Sequence, residues 1–579
     1  MSWNDRRTSA INNRLPITAL FLCLLLIIIL QFTIIFKTES NNGIEVEVKS
    51  FTMESELKKS EFEFKQLTFD NFEDELDKHL DILNATAIFN DVNNVLKQKN
   101  TDLYPVGVSY LPVYIPEGTL LYHANRDGKT PSNITWAAMD YEFSYHYIDV
   151  PRVKPQNLHP TEKRDTKIPH IFTLEVKRPL DKLILLTGAS ASKLPTGEMD
   201  SQYLLAQVDV YEDFDEKQMI SKICRWGQEN GGLDGLVRLE VGFEVILCDV
   251  TDKLNVIHDL TLADTKKFIG FPTEEKLPTE QSEGEKQQSL VLDKFEAMAG
   301  FDNYLAGSRV YDSEKRILPD FSKLVTLLNR TYIDPDPYKR RIYNASNSTK
   351  EKVLTDLSHA LKTPNDPSSS TNWQIITEGI VSKFGPMLVT FNSCFTNFEH
   401  VHHDTGLLGQ ELSSYTFNYI RRYISSTTYN FTTESRKLAV WDHAHPIKHL
   451  TTPVDHLIWS SIAMTQQHIV DVVYDTFLLS RDLLSTYNSG NSRHIVEPER
   501  IKKGQEQVRN LLDKLNWPLF YRCSQTCGFD EICFVPTWGP SRMNMLKNTA
   551  GLEIGGYKER ARISKDLVCI SYKDMMDNT

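Results

Sequence analysis

The chain has 579 residues, of which 77 are acidic and 64 are basic, so its net charge at pH 7 is −13. This acidic excess excludes nucleic acid as the expected partner, because nucleic-acid phosphates are recognised by basic surfaces. The length corresponds to roughly two to four domains, and 28 Phe and 23 Tyr supply large apolar side chains for their cores.

The first predicted element is an apolar segment at 15–36, LPITALFLCLLLIIILQFTIIF, whose last twenty residues carry no charge. A helix of about 20 apolar residues spans the hydrocarbon core of a lipid bilayer. Three arginines make the preceding segment 1–14 basic, and basic flanks stay in the cytoplasm. The pattern predicts a type II signal anchor that contacts the bilayer through 15–36. The body would then lie in the endoplasmic reticulum, Golgi or vacuole, or at the cell surface.

Two other interpretations of this segment are less consistent with its length. A cleaved signal peptide has an apolar region of roughly 7–15 residues that ends at small residues. Here the segment is longer and ends in Phe36-Lys37-Thr38-Glu39. A buried core helix would normally be shorter and carry a polar face.

Residues 37–105 predict an acidic helical stalk, since this segment has no Gly after Gly43 and no Pro before Pro105. Apolar residues recur within it at steps of three to five, which is typical of one helix face. The spacing leaves two alternatives: the helix packs on the body, or it is mostly solvated. The recurring residues are Phe72, Leu76, Leu80, Leu83, Ile88 and Val92.

The remaining chain predicts an α+β protein built from a sheet domain and a mainly helical domain. Short β-rich segments separated by Pro and Gly indicate a mixed or antiparallel sheet domain at 106–255. Polar, Glu-rich sequence indicates a linker at 256–290, and helical periodicity follows at 291–520. Thr452 as N-cap and Pro453 at the first turn mark the clearest helix start. A Cys-rich element closes the chain at 521–579.

Seven cysteines follow the predicted anchor, and in an oxidising lumen they are candidates for disulfides, with one left over. Four of them lie in the last sixty residues and predict a small disulfide-stapled element. Zinc is the alternative ligand, although the C-x3-C-x5-C spacing fits the common zinc patterns poorly. The seven are Cys224, Cys248, Cys394, Cys523, Cys527, Cys533 and Cys569.

Six Asn-x-Ser/Thr sequons also follow the predicted anchor, and about this number would arise by chance. They become informative only if the body is lumenal, where exposed sequons are glycosylated. The six are Asn84, Asn133, Asn329, Asn344, Asn347 and Asn430.

The best candidate for chemistry is the alternating segment GLVRLEVGFEVILCDV at 235–250. Strand alternation places its apolar residues on one face and Arg238, Glu240 and Glu244 on the other. Two carboxylates beside an arginine are typical of the wall of a polar cleft. They are equally typical of a solvated sheet face.

An earlier segment, GTLLYHANRDGKTPSNITWAAMDYEFSYHY, resembles the opening of ADP-ribosyltransferase-like folds. The resemblance implies that His123 holds the ribose and that Tyr145, with Tyr141 and Tyr147 as alternatives, stacks on nicotinamide. It further implies that Glu240 or Glu244 stabilises an oxocarbenium-like centre. His123 is followed by Ala-Asn where that family has Gly and a hydroxyl residue.

A second resemblance covers most of the body. LILLTGASASKLPTGEMDSQYLL and CRWGQENGGLDGLVRLEVGFEVILCD are similar to segments of a fungal family of single-anchor membrane proteins. This resemblance implies the same topology, and it implies no activity or cofactor.

Histidines are concentrated at 400–494, in the motifs HVHHD and HAHPIKH. Imidazole and carboxylate groups are metal ligands, so His400, His402, Asp404 and His445 are weak metal candidates. Neither motif matches H-E-x-x-H, and histidines scattered over the surface are the simpler interpretation.

The sequence therefore predicts a single-pass membrane glycoprotein with a large lumenal or extracellular domain. It assigns no activity to this domain, and an interaction module is one role that fits it. The second hypothesis is an ADP-ribosyltransferase-like or other glycosidic-bond enzyme. The third is a metal-dependent hydrolase.

Overall fold

The structure is a computed structural model of the chain, and its contacts divide the chain into two units, Met1–Glu61 and Phe62–Thr579. The described residues all belong to the second unit. No helix among them is long and apolar enough to cross a membrane, and the predicted anchor at 15–36 lies outside them. The described residues are 65–148, 169–191, 196–209, 215–239, 242–262, 313–328, 334, 336–369, 371–425, 432–446, 450–489, 497–535, 552–553 and 562–571.

Two helices precede the sheet, α1 (Ile82–Asn94) and α2 (Gln98–Leu103). The Asp81 carboxylate caps α1 by accepting a hydrogen bond from the Asn84 N–H at 2.9 Å. Ile88 and Phe89 of α1 are fully buried. Of the two alternatives for this helix, the structure shows the one in which it packs on the body.

Ten strands form the main sheet, in the order β10-β1-β5-β6-β7-β3-β2-β4-β8, with β9 beside β1. Their bounds are β1 (Val106–Ile115), β2 (Leu120–Asn125), β3 (Thr135–Ala138), β4 (His170–Val176), β5 (Leu180–Gly188), β6 (Gly235–Leu239), β7 (Phe243–Leu247), β8 (Leu254–Thr261), β9 (Leu318–Pro319) and β10 (Val325–Thr326). Strand β8 thus occupies the first residues of the predicted linker, and β9 and β10 come from the segment predicted to be helical.

Strands β5 and β6 are parallel, whereas the other neighbours are antiparallel. Parallel neighbours need a crossover, and two helices provide it, α4 (Asp200–Ala206) and α5 (Glu216–Glu229). A single-turn helix, α3 (Tyr141–Ser144), leads into a 3₁₀ turn at Tyr145–Ile148. The mixed α+β class predicted from sequence is confirmed.

The later chain is mainly helical. Asp455 donates its N–H to the Thr452 hydroxyl at 3.0 Å, so the predicted start of the longest helix is confirmed. The helices are α6 (Asn347–Leu361), α7 (Trp373–Asn397), α8 (Thr405–Ile420), α9 (Thr433–Ala444), α10 (Pro453–Ser489) and α11 (Pro498–Leu515). Short 3₁₀ or π turns lie at Phe321–Lys323, Ile342–Asn344, Phe398–His402, Arg421–Tyr423 and Pro518–Phe520.

One hydrophobic core joins the sheet to these helices. It runs from Phe89 of α1 through Ile184 of β5 to Val473 of α10, and each of these side chains is fully buried. The area rule of about 25 cal/mol per Å² makes such burial the main stabilising contribution.

The Cys-rich end adds short strands, β11 (Arg522–Cys523), β12 (Glu531–Phe534), β13 (Leu552–Glu553), β14 (Arg562–Ile563) and β15 (Asp566–Ser571). Strand β15 lies between β11 and β12. Disulfides Cys523–Cys533 and Cys527–Cys569 staple this small sheet. The predicted stapled element is therefore present.

Candidate functional site

The predicted polar face crosses four adjacent strands in one row. Tyr122 of β2 lies opposite Ala138 of β3, Ala138 lies opposite Glu244 of β7, and Glu244 lies opposite Arg238 of β6. Directly opposed residues point to the same face of a sheet, so the predicted pairing of Arg238 with Glu244 on one face is present. Glu240, which the alternation places with them, lies outside the described residues.

This face is buried, which neither interpretation of the sequence anticipated. Arg238 is 2% exposed and Glu244 is 5% exposed. The crossover between β5 and β6 lays its helices over the face, because a residue from each of α4 and α5 bonds to Arg238. The row is therefore neither an open cleft wall nor a solvated surface.

Arg238 is the centre of a satisfied hydrogen-bond network. Its Nε donates to Glu244 Oε2 at 2.5 Å, its Nη1 donates to Gln202 Oε1 at 2.8 Å, and its Nη2 donates to Glu216 Oε1. Burial disfavours the guanidinium charge, but the Glu244 and Glu216 carboxylates outweigh burial and raise the pKa of Arg238. Glu244 is thus neutralised by a buried ion pair, whereas oxocarbenium stabilisation needs a carboxylate that faces substrate.

His123 lies on β2, opposite Phe172 of β4. Its Nδ1 donates to the Trp136 carbonyl oxygen at 2.6 Å, which assigns the proton to Nδ1. Burial lowers the pKa of His123, which favours the neutral ring. The imidazole stacks on Tyr147, with ring centroids 5.9 Å apart.

Tyr147 connects the predicted histidine to the predicted glutamate. Burial, and then the Glu244 charge, raise the pKa of Tyr147 well above its usual value. Tyr145 contacts the exposed Tyr141, with ring centroids 6.2 Å apart. The structure therefore brings His123, Tyr147 and Glu244 together, as a packed cluster, with Tyr147 in the position that the resemblance gave first to Tyr145.

The histidine motifs have local structural roles. The Asp404 carboxylate caps α8 by accepting two backbone N–H bonds, and its own N–H donates to His402 Nδ1 at 2.9 Å. His400 is exposed beside a glutamate, and the His445 ring packs at a tilt against the Trp441 ring. Among the described residues, the group close enough to share an ion is Cys523, Cys527 and Cys533, not these histidines. Those cysteines are the ones that form the C-terminal disulfides.

A cavity of about 30 Å³ lies at the carboxyl ends of β5 and β6. Space of this size holds one or two water molecules. Asp91 and Asn94 of α1 and Thr101 of α2 line it beside the ends of the strands. The lining residues are Asp91, Asn94, Val95, Leu96, Thr101, Tyr104, Val106, Gly107, Leu185, Leu186, Thr187, Gly188, Leu239 and Phe243.

Sequence reasoning missed Asp91 and Asn94. They lie in the helical segment FNDVNNVLK, where polar residues between apolar ones predict an exposed helix face. In the structure Asn94 is 7% exposed, and α7, α10 and α11 pack against α1. The sequence carries one weak signal of their burial, because amide and acidic residues are grouped within an otherwise apolar helix.

Comparisons of the sequence identify relatives along most of its length. The model of the YPL277C N-terminal domain matches residues 66–159 and 148–366, and that of the YPL277C C-terminal domain matches residues 372–491. The chain belongs to this family. The fungal part of the second resemblance is thereby confirmed, and no solved structure matches the chain.

Three proteins of Saccharomyces cerevisiae are similar to the chain. "Uncharacterized protein YOR389W" is 30% identical over 88% of this chain and 91% of its own length. "Uncharacterized protein YPL277C" is 32% identical over 56% of this chain and 77% of its own length. "Putative uncharacterized protein YPL278C" is 31% identical over 14% of this chain and 86% of its own length. None of these names states an activity, and none of them supports the ADP-ribosyltransferase resemblance.

Proposed function

We propose that this member of the YPL277C family is a type II single-pass membrane glycoprotein whose disulfide-bonded body acts as an interaction module in a lumen or outside the cell. The observation that carries the proposal is the pairing of cysteines. Six of the seven that follow the predicted anchor lie in three disulfides, and the seventh is buried. Disulfides persist in oxidising compartments and are rare in the cytosol.

The pairs have geometry suited to disulfides and join distant segments. Their Cα–Cα distances are 5.5, 5.7 and 5.4 Å, within the usual range. Cys224 of α5 is joined to Cys248, which directly follows β7, so this bond fastens the crossover helix to the sheet. Burial, and then Glu411, raise the pKa of the unpaired Cys394 to about 12, which keeps its thiol inert.

The sequons differ in how readily they would carry a glycan. Asn133, Asn344 and Asn347 are exposed. Asn84 is half-buried and donates its amide to the Asp81 carboxylate at 2.9 Å. A glycan extends into solvent, so the exposed three support a glycosylated body. Asn329 and Asn430 lie outside the described residues.

Thiol trapping tests the compartment. Cells that express the full chain are lysed directly into denaturant with the first alkylating reagent, and the protein is then reduced and labelled with a second reagent. We expect the six paired cysteines to take the second label and Cys394 to take the first. Complete first labelling of all six would contradict an oxidising compartment.

Protease protection tests the orientation. With a C-terminal tag on the full chain, sealed microsomes should protect the tag from added protease until detergent is present. Digestion without detergent would place the body in the cytosol. Replacing Leu24, Leu25 and Leu26 together by Arg, which charges the centre of the predicted anchor, should release the protein into the carbonate-soluble fraction, whereas Leu83→Arg, at an exposed leucine of α1, should not.

A further inference from the structure

The two disulfides of the Cys-rich end lie side by side. Cys523 is bonded to Cys533, and Cys527 is bonded to Cys569. The sulfur atoms of Cys523, Cys527 and Cys533 nevertheless all lie within 4.8 Å of one another. The Cys527 sulfur is therefore next to a disulfide to which it is not bonded. A thiolate that attacks a disulfide exchanges one S–S bond for another, so this arrangement places an attacking group beside its target.

Solvent reaches this part of the molecule. The four cysteines are half-buried, and residues 524–526 and 528–530 are exposed. The Phe529 side chain is fully exposed. Exchange requires access to a disulfide sulfur, and this exposed segment leaves the two bonds within reach of a thiol from solution.

The register of the small sheet provides a second pairing for the same cysteines. Cys533 of β12 lies directly opposite Cys569 of β15 in the antiparallel ladder. Opposed residues of such a ladder have Cα atoms roughly 4.5–5.5 Å apart, which is within the span of a disulfide. The fold therefore accommodates two sets of bonds: Cys523–Cys533 with Cys527–Cys569, or Cys523–Cys527 with Cys533–Cys569.

A backbone hydrogen bond favours one direction of attack. The Cys523 N–H donates to Cys533 Sγ at 2.8 Å. A hydrogen bond to sulfur stabilises the thiolate, and a stabilised thiolate is the better leaving group. Attack by Cys527 is therefore favoured at Cys523 Sγ, because that attack releases Cys533.

We propose that these four cysteines form a thiol–disulfide exchange site whose substrate is a low-molecular-weight thiol. The incoming thiolate attacks Cys569 Sγ, which forms a mixed disulfide and releases Cys527 as a thiolate. Cys527 then attacks Cys523 Sγ and releases Cys533. Cys533 attacks Cys569 Sγ and expels the incoming thiol. Each step breaks one S–S bond and forms one. The thiol regains on leaving the proton that it lost on attack, so nothing is oxidised or reduced overall.

The exchange gives the Cys-rich end two covalent forms. It moves the link to β15 from Cys527, in the exposed segment between β11 and β12, to Cys533 in β12 itself. This inference goes beyond the proposed location and interaction role, because it depends on the four cysteines and is tested on purified protein.

Disulfide mapping of the detergent-solubilised full chain tests the proposal, with reduced glutathione as the thiol. Cleavage after Glu531 separates Cys527 from Cys533. A peptide that holds Cys523 and Cys527 as an internal disulfide is then released only from the second set of bonds. We expect this peptide, together with Cys533–Cys569, after incubation at about pH 8 and acid quenching. Its final fraction should not depend on the glutathione concentration. Its rate of formation should rise about tenfold when that concentration is raised tenfold, because the thiol is regenerated.

Oxidised glutathione is the matched control probe, because it carries no thiol, and it should leave the pairing unchanged. Cys224–Cys248 is an internal control that should stay intact, since neither cysteine belongs to the close group of sulfurs. Cys533→Ser removes the thiol that expels glutathione, so glutathione should remain on Cys569. Persistence of the original pairs alone in the unaltered chain would overturn the proposal. Absence of glutathione from Cys569 in Cys533→Ser would also overturn it.

Discussion

Removal of the Arg238 side chain tests whether the predicted polar face is a structural network. Arg238→Met keeps the length of the side chain and removes the charge and the donors. It leaves Glu244, whose side chain is 6% exposed, without a cationic partner, and it leaves Gln202 Oε1 without its donor. Arg238→Lys keeps the charge but cannot donate to all three acceptors with the planar geometry of a guanidinium.

The magnitude follows from burial. Removing one partner of a buried ion pair costs about 3–5 kcal/mol, because the other charge stays buried and unpaired. We expect that loss of unfolding free energy for Arg238→Met and a smaller loss for Arg238→Lys. Arg500 and Asp482 are a matched control at 2.6 Å, with side chains 50% and 33% exposed. Arg500→Met should cost about 0–1 kcal/mol.

Urea unfolding monitored by tryptophan fluorescence measures these differences. The reasoning fails if Arg238→Met costs no more than Arg500→Met. Such a result would mean that Glu244 reaches solvent when Arg238 is absent. It would restore Glu244 as a candidate for an accessible catalytic carboxylate.

Three further perturbations test other parts of the structure. Replacing Cys224 and Cys248 together by Ala opens a disulfide of sequence separation 24 and should cost about 3 kcal/mol in urea unfolding; an unchanged midpoint would contradict that bond. Burial lowers the pKa of His443 to about 4, below its unfolded value of about 6.5. Between these pH values the unfolded chain binds a proton that the folded protein does not, so the free energy of unfolding should fall by about 1–2 kcal/mol as the pH drops from 6.5 towards 4. That loss should be absent in His443→Gln, and an identical pH profile of the two proteins would refute the assignment. Gly107→Ala places a Cβ 1.8 Å from the Thr187 carbonyl oxygen and should lower the melting temperature through about 1–3 kcal/mol of strain; wild-type melting would contradict the close approach.

Local features were predicted well because they depend on residues adjacent in the chain. The Thr452 cap and Pro453 define the start of α10, and alternation at 235–247 yields β6 and β7 with Arg238 and Glu244 on one face. The spacing of the last four cysteines indicated the stapled end. The hydrophobicity of 15–36 by itself predicts a membrane anchor, and the protease-protection experiment tests that prediction.

Tertiary packing decided what those faces and cysteines contact. Alternation distinguishes two faces of a strand, but only the crossover through α4 and α5 determines that the Arg238 face is buried. Cysteine spacing cannot choose among pairings, whereas the fold brings Cys224 beside Cys248 and leaves Cys394 alone. Asp91 and Asn94 look like an exposed helix face in sequence, and they line a cavity because α1 is enclosed. Burial depends on contacts between distant segments, and that information is absent from local pattern.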